Sequence, residues 1–371
     1  MKPNNLIAVF IAVILLVIGV VLWIMSERSS NIPEQETGMF FGADTLNQVA
    51  LIHADIGAPA FEPGVKSELD KIRESIDWSD APSPAPELVN TDDYDVYINV
   101  SKEYLTYVFD KLGYTGEKID SGETTTIPPL LVVSISKGWS DGETVQFKKS
   151  IFYRVILALV LYENEAVLRE REKLLSIIKA RDDGTLSSIQ QSALNDLAYS
   201  YRVVKKESNA PLTEIQIKEL LTRVDMVPAS LALAQSAHES GYATSRFAHS
   251  ANALFGQWDW SSKAVKPQQQ RKGMGNYGIK AFDQPVDSVR AYLWNLNTHR
   301  AYADFRQNRA QQRGDATGLF VFDGSKLAAT LTSYSERGEA YTKELQQTIS
   351  YNRLDRADGL RLMQGDPIYF N

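Results

Sequence analysis

Residues 231–260, LALAQSAHESGYATSRFAHSANALFGQWDW, constrain this chain more than any other stretch. They open as an Ala-rich helix after Pro228, a residue suited to a first helical turn. From Ala229 to His238 there is no Asp, Glu, Lys or Arg. Small, uncharged residues on all sides predict a helix buried over most of its surface. Glu239 follows, then Ser240 and Gly241, and Gly241 is a natural helix stop. A lone carboxylate therefore sits at the unfavourable pole of the helix dipole. Desolvation acts in the same direction, so its pKa should rise. A carboxyl group held protonated near neutral pH is what a general acid needs. On charge placement alone the alternative stands that Glu239 reaches into water, as most Glu side chains do.

The surrounding residues favour chemistry. AQSAHESGYATSRFA followed by NALFGQW resembles the glucosaminidase domain of peptidoglycan hydrolases, glycoside hydrolase family seventy-three. The pattern there reads A-Q-A-x-x-E-S-G-W-G-x-S, then N-x-L-F-G. Within that group the chain is most similar to the bacterial Bax-like subfamily, through VRAYLWNLNTHRAYADFR and SYSERGEAY as well. The resemblance is specific over about Asp225 to Leu354 and fainter upstream, in IPPLLV and FKKSIFYRVILALVLYENEAVLRERE. It implies a mainly helical α+β fold, lysozyme-like, with a small β-hairpin lobe.

The chain has 371 residues, 44% hydrophobic and 23% charged, which fits a globular protein. It contains no cysteine, which excludes disulfides, thiolate metal sites and a cysteine lipid anchor. His53, His238, His249 and His299 show no ligand spacing, so no metal or cofactor is expected. The net charge of -7 is uneven. Residues 225–371 hold 17 Lys+Arg against 14 Asp+Glu, about +3, leaving about -10 for residues 1–224. A mildly basic C-terminal part suits an anionic wall polymer. No basic stripe with interleaved aromatics argues for nucleic acid.

Leu6 to Met25, LIAVFIAVILLVIGVVLWIM, is uncharged and long enough to cross a bilayer. It exceeds a typical signal-peptide core, and no small-x-small cleavage site follows. This predicts an uncleaved signal anchor, residues 1–25, with Trp23 at the interface. Lys2 on one side and Glu27 and Arg28 on the other orient it only weakly. The resemblance decides the orientation, placing a single-pass protein in the inner membrane with its catalytic domain in the periplasm. Residues 26–93 are expected to be a tether and linker, since they include the Pro-rich APSPAP. Residues 94–224 are expected to form a helical support region. Its helices should cover about Phe147–Ala180, Leu186–Val204 and Thr213–Arg223, the last opened by a T-E-I-Q capping box. Residues 225–354 form the glucosaminidase domain, and 355–371 a tail without strong pattern. Within the domain, Asp283 should cap a helix whose first turn holds Pro285. Further helices are expected at about Ala301–Arg313, Ser325–Tyr334 and Glu339–Asn352.

Glycoside hydrolysis usually takes two carboxyl groups. Glu239 matches the family's catalytic glutamate and takes the acid role. The family generally carries a second glutamate in the hairpin lobe, but here the next Glu after Glu239 is Glu336. Asp259, between Trp258 and Trp260, and Asp283 are the nearby acids; each is alternatively a turn or cap residue. Tyr334 sits where relatives place a tyrosine facing the cleft, or else it is a core aromatic. Phe255, Trp258 and Trp260 can stack on sugar faces or pack the lobe. Asn252 and Gln257 can bind an acetamido group, and Ser240 joins the substrate-binding candidates through the motif. The resemblance thus implies a hydrolase that cleaves the glycan strands of peptidoglycan at N-acetylglucosamine. Two other classes stay open: a lytic transglycosylase-like enzyme, which needs one carboxyl group, and a non-catalytic glycan-binding module. For the anchor, alkaline carbonate should leave the protein in the membrane pellet, and protease added to spheroplasts should reach it. Release by carbonate, or protection in spheroplasts, refutes the expectation.

Overall fold

The computed structural model describes residues 66–91, 94–205, 210–268 and 277–371. The expected span Leu6–Met25 lies outside them, and among the described residues no helix is long and apolar enough to cross a membrane. The part of the expected linker that is described is ordered. Helix α1, Glu68–Ser75, opens on a capping box in which Ser67 and Asp70 satisfy each other's backbone, and it buries Leu69. Strand β1, Glu87–Asn90, pairs antiparallel with β2, Asp95–Ile98. Helices α2, Lys102–Lys111, and α3, Gly116–Ser121, follow, each capped by a Ser or Thr hydroxyl. Strands β3, Thr126–Ile127, and β4, Leu130–Val132, come from the apolar IPPLLV run.

Helix α4, Val145–Asp182, has 38 residues and spans about 57 Å. Its first half is buried nearly all round, through Ile156 to Leu161. Its second half packs Leu174 and Ile177 against α5, Ser188–Ser200, and α6, Glu214–Arg223, in a separate small core. The motif helix α7, Ala229–Ser240, lies in the main core, with Ala229 to Ala237 all buried. Helix α8, Arg246–Ala251, leads to the lobe strands β5, Trp258–Asp259, and β6, Gly278–Ile279, which pair antiparallel. Then come α9, Pro285–Thr298, α10, Ala303–Arg313, α11, Gly324–Ala328, and α12, Glu339–Tyr351. A 3-10 turn, Leu354–Gly359, precedes β7, Arg361–Leu362, and β8, Ile368–Phe370. The sheet order is β1-β2-β8-β4, with β8 parallel to both neighbours, while β7 pairs with β3. The patternless C-terminal residues thus occupy the middle of the sheet. The whole is a mainly helical α+β structure with small sheets, consistent with the lysozyme-like fold.

Three local expectations are corrected. Pro228 occupies the cap position of α7 rather than its first turn. Gln284, not Asp283, caps α9, because its backbone N–H donates to Asp287 in a capping box. The helix expected over 325–334 ends at Ala328. Thr330 bonds its hydroxyl to the Leu327 carbonyl, and the Thr- and Ser-rich residues after it close successive turns.

The start of α7 has no side-chain cap of its own. Asp358, remote in sequence, supplies one: Ser230 donates its backbone N–H at 2.8 Å and its hydroxyl at 2.7 Å to that carboxylate. Gly324 must be glycine for this approach, since a Cβ there would lie 2.1 Å from the Ser230 hydroxyl. Just upstream, buried Asp225 receives both arms of Arg313 at 2.5 Å. Fully buried Arg309 donates to the carbonyls of Asp225 and Met226. Asn164 on α4 pairs both ways with the Val227 backbone. Asp358→Ala should remove the remote cap and lower stability by about 1–2 kcal/mol. Burial pushes Asp358 up to about 7. A raised folded pKa makes the protonated form the more stabilising one, so its contribution fades as pH rises from about 4 through 7. The melting temperature gap between wild type and Asp358→Ala should therefore be wider at pH 5 than at pH 8. Scanning calorimetry at the two pH values checks this; a gap that widens with pH refutes it.

Candidate active site

The end of α7 is built to present Glu239. Gly241 takes φ 60° and closes the helix. Tyr242 and Ala243 then keep positive φ, 57° and 58°, which is strained for residues with a side chain. The surroundings hold them there. The Tyr242 N–H donates to the Ala237 carbonyl, the Ala243 N–H donates to the Ser240 hydroxyl, and the Trp139 indole donates to the Ala243 carbonyl.

Glu239 itself is exposed to solvent on one side, and Tyr341 and Gly256 lie against it on the other. The surrounding protein desolvates the carboxyl and raises its pKa, while a hydrogen bond from the Tyr341 hydroxyl to Oε1, 2.9 Å, opposes the rise. The Tyr341 hydroxyl oxygen accepts from the Gln235 amide at 3.1 Å, and Gln235 accepts from Tyr292 at 2.6 Å. Gln235 thereby points the Tyr341 proton at Oε1, and a proton carried by Glu239 belongs on Oε2. That oxygen lies against Gly256, where a Cβ would come within 3.3 Å. Tyr334 stacks on Tyr341 with parallel rings, centroids 5.7 Å apart, and donates to the Phe255 carbonyl at 3.3 Å. Burial, with the nearby Glu239 charge adding to it, holds Tyr292, Tyr334 and Tyr341 well above the usual phenol range and Tyr302 at about 12. The wall beside the carboxyl is thus neutral and made of donors.

The other expected site residues divide. Tyr334 joins Glu239, though from a turn rather than a helix. Trp258 and Trp260 lie near the surface of the lobe, edge to face at 6.1 Å, and Trp260 is 38% exposed. Phe255 is buried and stacked on Tyr292 at 3.9 Å. Gln257 is fully buried and donates to the Ser288 carbonyl. Ser240 is fully buried and donates to the Ser236 carbonyl. Asn252 ends α8 and donates to the Phe282 and Asp283 carbonyls. The side chains of Gln257, Ser240 and Asn252 thus each make hydrogen bonds within the fold. Asp259 accepts from the backbone and hydroxyl of Ser261, which makes it a turn residue. Asp283 is exposed. A cavity of about 220 Å³ lies at the far end of α7, beside Pro228 and Asp358, and does not include Glu239. Among the described residues no group of three His, Asp or Glu can hold a metal.

The glucosaminidase family, described as mannosyl-glycoprotein endo-beta-N-acetylglucosaminidase, matches residues 216–354. Protein bax of Escherichia coli strain K12 is 32% identical over 198 residues, covering 53% of this chain and 67% of that protein. The chain belongs to the Bax-like glucosaminidase-domain proteins. No solved structure matches it. Membership makes this a glycosidase-type enzyme with a glycan as substrate, and Glu239 lies inside the matched segment.

Tyr341 and Gln235 were not legible as site residues in this Bax-like chain. Tyr341 lies 102 positions from Glu239, and only the packing of α12 on α7 brings them together. Gln235 carried a signal in retrospect, being a polar residue inside a charge-free buried helix, which must find partners. Tyr341→Phe removes a hydrogen bond that favours the ionised carboxyl, so the pKa of Glu239 should rise further. The alkaline limb of the pH–rate profile should move to higher pH. A limb that moves down or stays fixed refutes the contact's role.

Proposed function

We propose that this protein is a peptidoglycan hydrolase that cleaves β-1,4 bonds at N-acetylglucosamine, with Glu239 as general acid. Residues 6–25 anchor it in the inner membrane and the catalytic domain faces the periplasm. One observation carries the chemistry: the Glu239 carboxyl has its pKa raised by desolvation yet stays reachable from solvent, with Oε1 occupied by Tyr341 and Oε2 left for a proton. A glycan lying over this carboxyl removes the remaining water and raises the pKa further, which suits a proton donor. Oε2 then protonates the leaving oxygen beside Gly256, and the tyrosine wall carries no charge to compete with the oxocarbenium character that develops.

The second group is open. No Glu lies between Glu239 and Glu336, and Asp259 is committed to its own turn. This favours, as a second reading, a lytic transglycosylase-like reaction with one carboxyl group. The substrate's N-acetyl group is an alternative nucleophile for hydrolysis.

Purified protein should be digested with native peptidoglycan and the products weighed by mass spectrometry. Reducing N-acetylglucosamine ends support the hydrolase, whereas anhydromuramyl ends select the transglycosylase. Binding without cleavage leaves a glycan-binding module. Glu239→Gln should lose about 10²–10⁴-fold in rate. Its melting temperature should not fall, because the amide oxygen still accepts from Tyr341. Near-normal turnover in that variant rejects the assignment.

A further inference from the structure

We propose that the groove beginning at His238 is a subsite for a carboxylate-bearing peptide substituent of the glycan. This rests on the peptidoglycan reading above, in which sugars carry short peptides with free carboxylates. The groove has a volume of about 990 Å³, within the rough range of 300–1,000 Å³ of small-ligand sites. Lys149, Tyr242, Lys343, Glu344, Thr348 and Tyr351 are among its lining residues. His238 is the residue before Glu239 on α7, so the groove starts one helical step from the acid.

The charge in it is unbalanced. The Glu344 carboxylate is taken by both arms of Arg337. The His238 ring meets the Thr348 hydroxyl at 2.8 Å, and burial lowers its pKa, which favours the neutral form. Lys343 reaches Glu339 at 3.5 Å along the exposed face of α12, a weak pairing. The Lys149 ammonium has no carboxylate partner among the described residues. It bonds the Asn352 amide oxygen at 3.1 Å and lies over two rings, 5.4 Å from the Tyr242 centroid and 5.3 Å from that of Tyr351. An ammonium has three donors, so this contact leaves two for an acceptor.

Two further observations point the same way. Tyr351 is 82% exposed, an unusual position for an aromatic ring whose neighbour is a fixed cation. Tyr242 is held at φ 57° by the strained turn after Glu239, and its ring is the second aromatic neighbour of Lys149. A cation fixed beside two aromatic rings suits an extended peptide: the rings take its backbone and aliphatic parts, and Lys149 takes a carboxylate.

The test measures binding to the full-length Glu239→Gln protein by isothermal titration. The probes are a soluble disaccharide tetrapeptide and the same disaccharide without peptide. The peptide-bearing probe should bind at least tenfold more tightly. Lys149→Gln should weaken that probe about tenfold and the peptide-free one less than twofold. Tyr351→Ala, at a side chain too exposed to be needed for folding, should weaken it several-fold with the same selectivity. Equal affinity for the two probes, or equal losses on both, overturns the subsite while leaving the glycan reading intact. Binding of neither probe, with no cleavage of native peptidoglycan by the wild type, overturns both.

Discussion

A helix that carries no charge and is buried from Ala229 to Ala237 cannot look after its own start. That constraint organises the rest of the molecule. The N-terminal N–H groups of α7 and the Ser230 hydroxyl need an acceptor, and Pro228 has no side chain to give one. Asp358 supplies it from the chain's far end. The approach to the helix is fixed by Asp225, Arg313 and Arg309, a buried charge cluster in which removing one partner costs about 3–5 kcal/mol. Asn164 ties the same approach to α4. The partners come from α4, from α10 and from the 3-10 turn, so α7 is positioned only once these elements have closed around it.

At the other end the same burial produces the chemistry. A carboxyl group at a helix C-terminus gains nothing from the helix dipole. It is tolerated because a donor from α12 meets one oxygen and the side chain keeps contact with solvent. Desolvation and the Tyr341 hydrogen bond oppose each other, and desolvation wins. The four tyrosines beside it are polar enough to orient a proton and too deeply packed to ionise.

What could be read from residues alone follows from how local each signal is. Long helices announce themselves by apolar spacing: α4 was expected over 147–180 and runs 145–182. Glu239 was legible because the charge-free run before it is contiguous. The errors fall where several residues compete for one role. Asp283 looked like a cap, but Gln284 won through its reciprocal bond with Asp287. Gln257, Asn252 and Ser240 are a different matter: they hydrogen-bond within the fold, and nothing in a linear string shows that a carbonyl such as that of Ser288 is a partner. Tyr341, Asp358 and β8 depend on contacts across about a hundred residues or more, which periodicity does not encode.

The placement of β8 also bears on how the protein is made. Strand β8 lies between β2 and β4, so residues 95–98 and 130–132 have no shared neighbour until residues 368–370 exist. Asp358, which caps α7, is synthesised only slightly earlier. Closing loops of this length is slow, because chain entropy must be overcome before any long-range contact rewards it. During synthesis the chain can form α4 and its local hairpin partners early, yet the helix bearing Glu239 stays uncapped. The arrangement around Glu239 is therefore complete only after residues 358 and 368–370 have joined it.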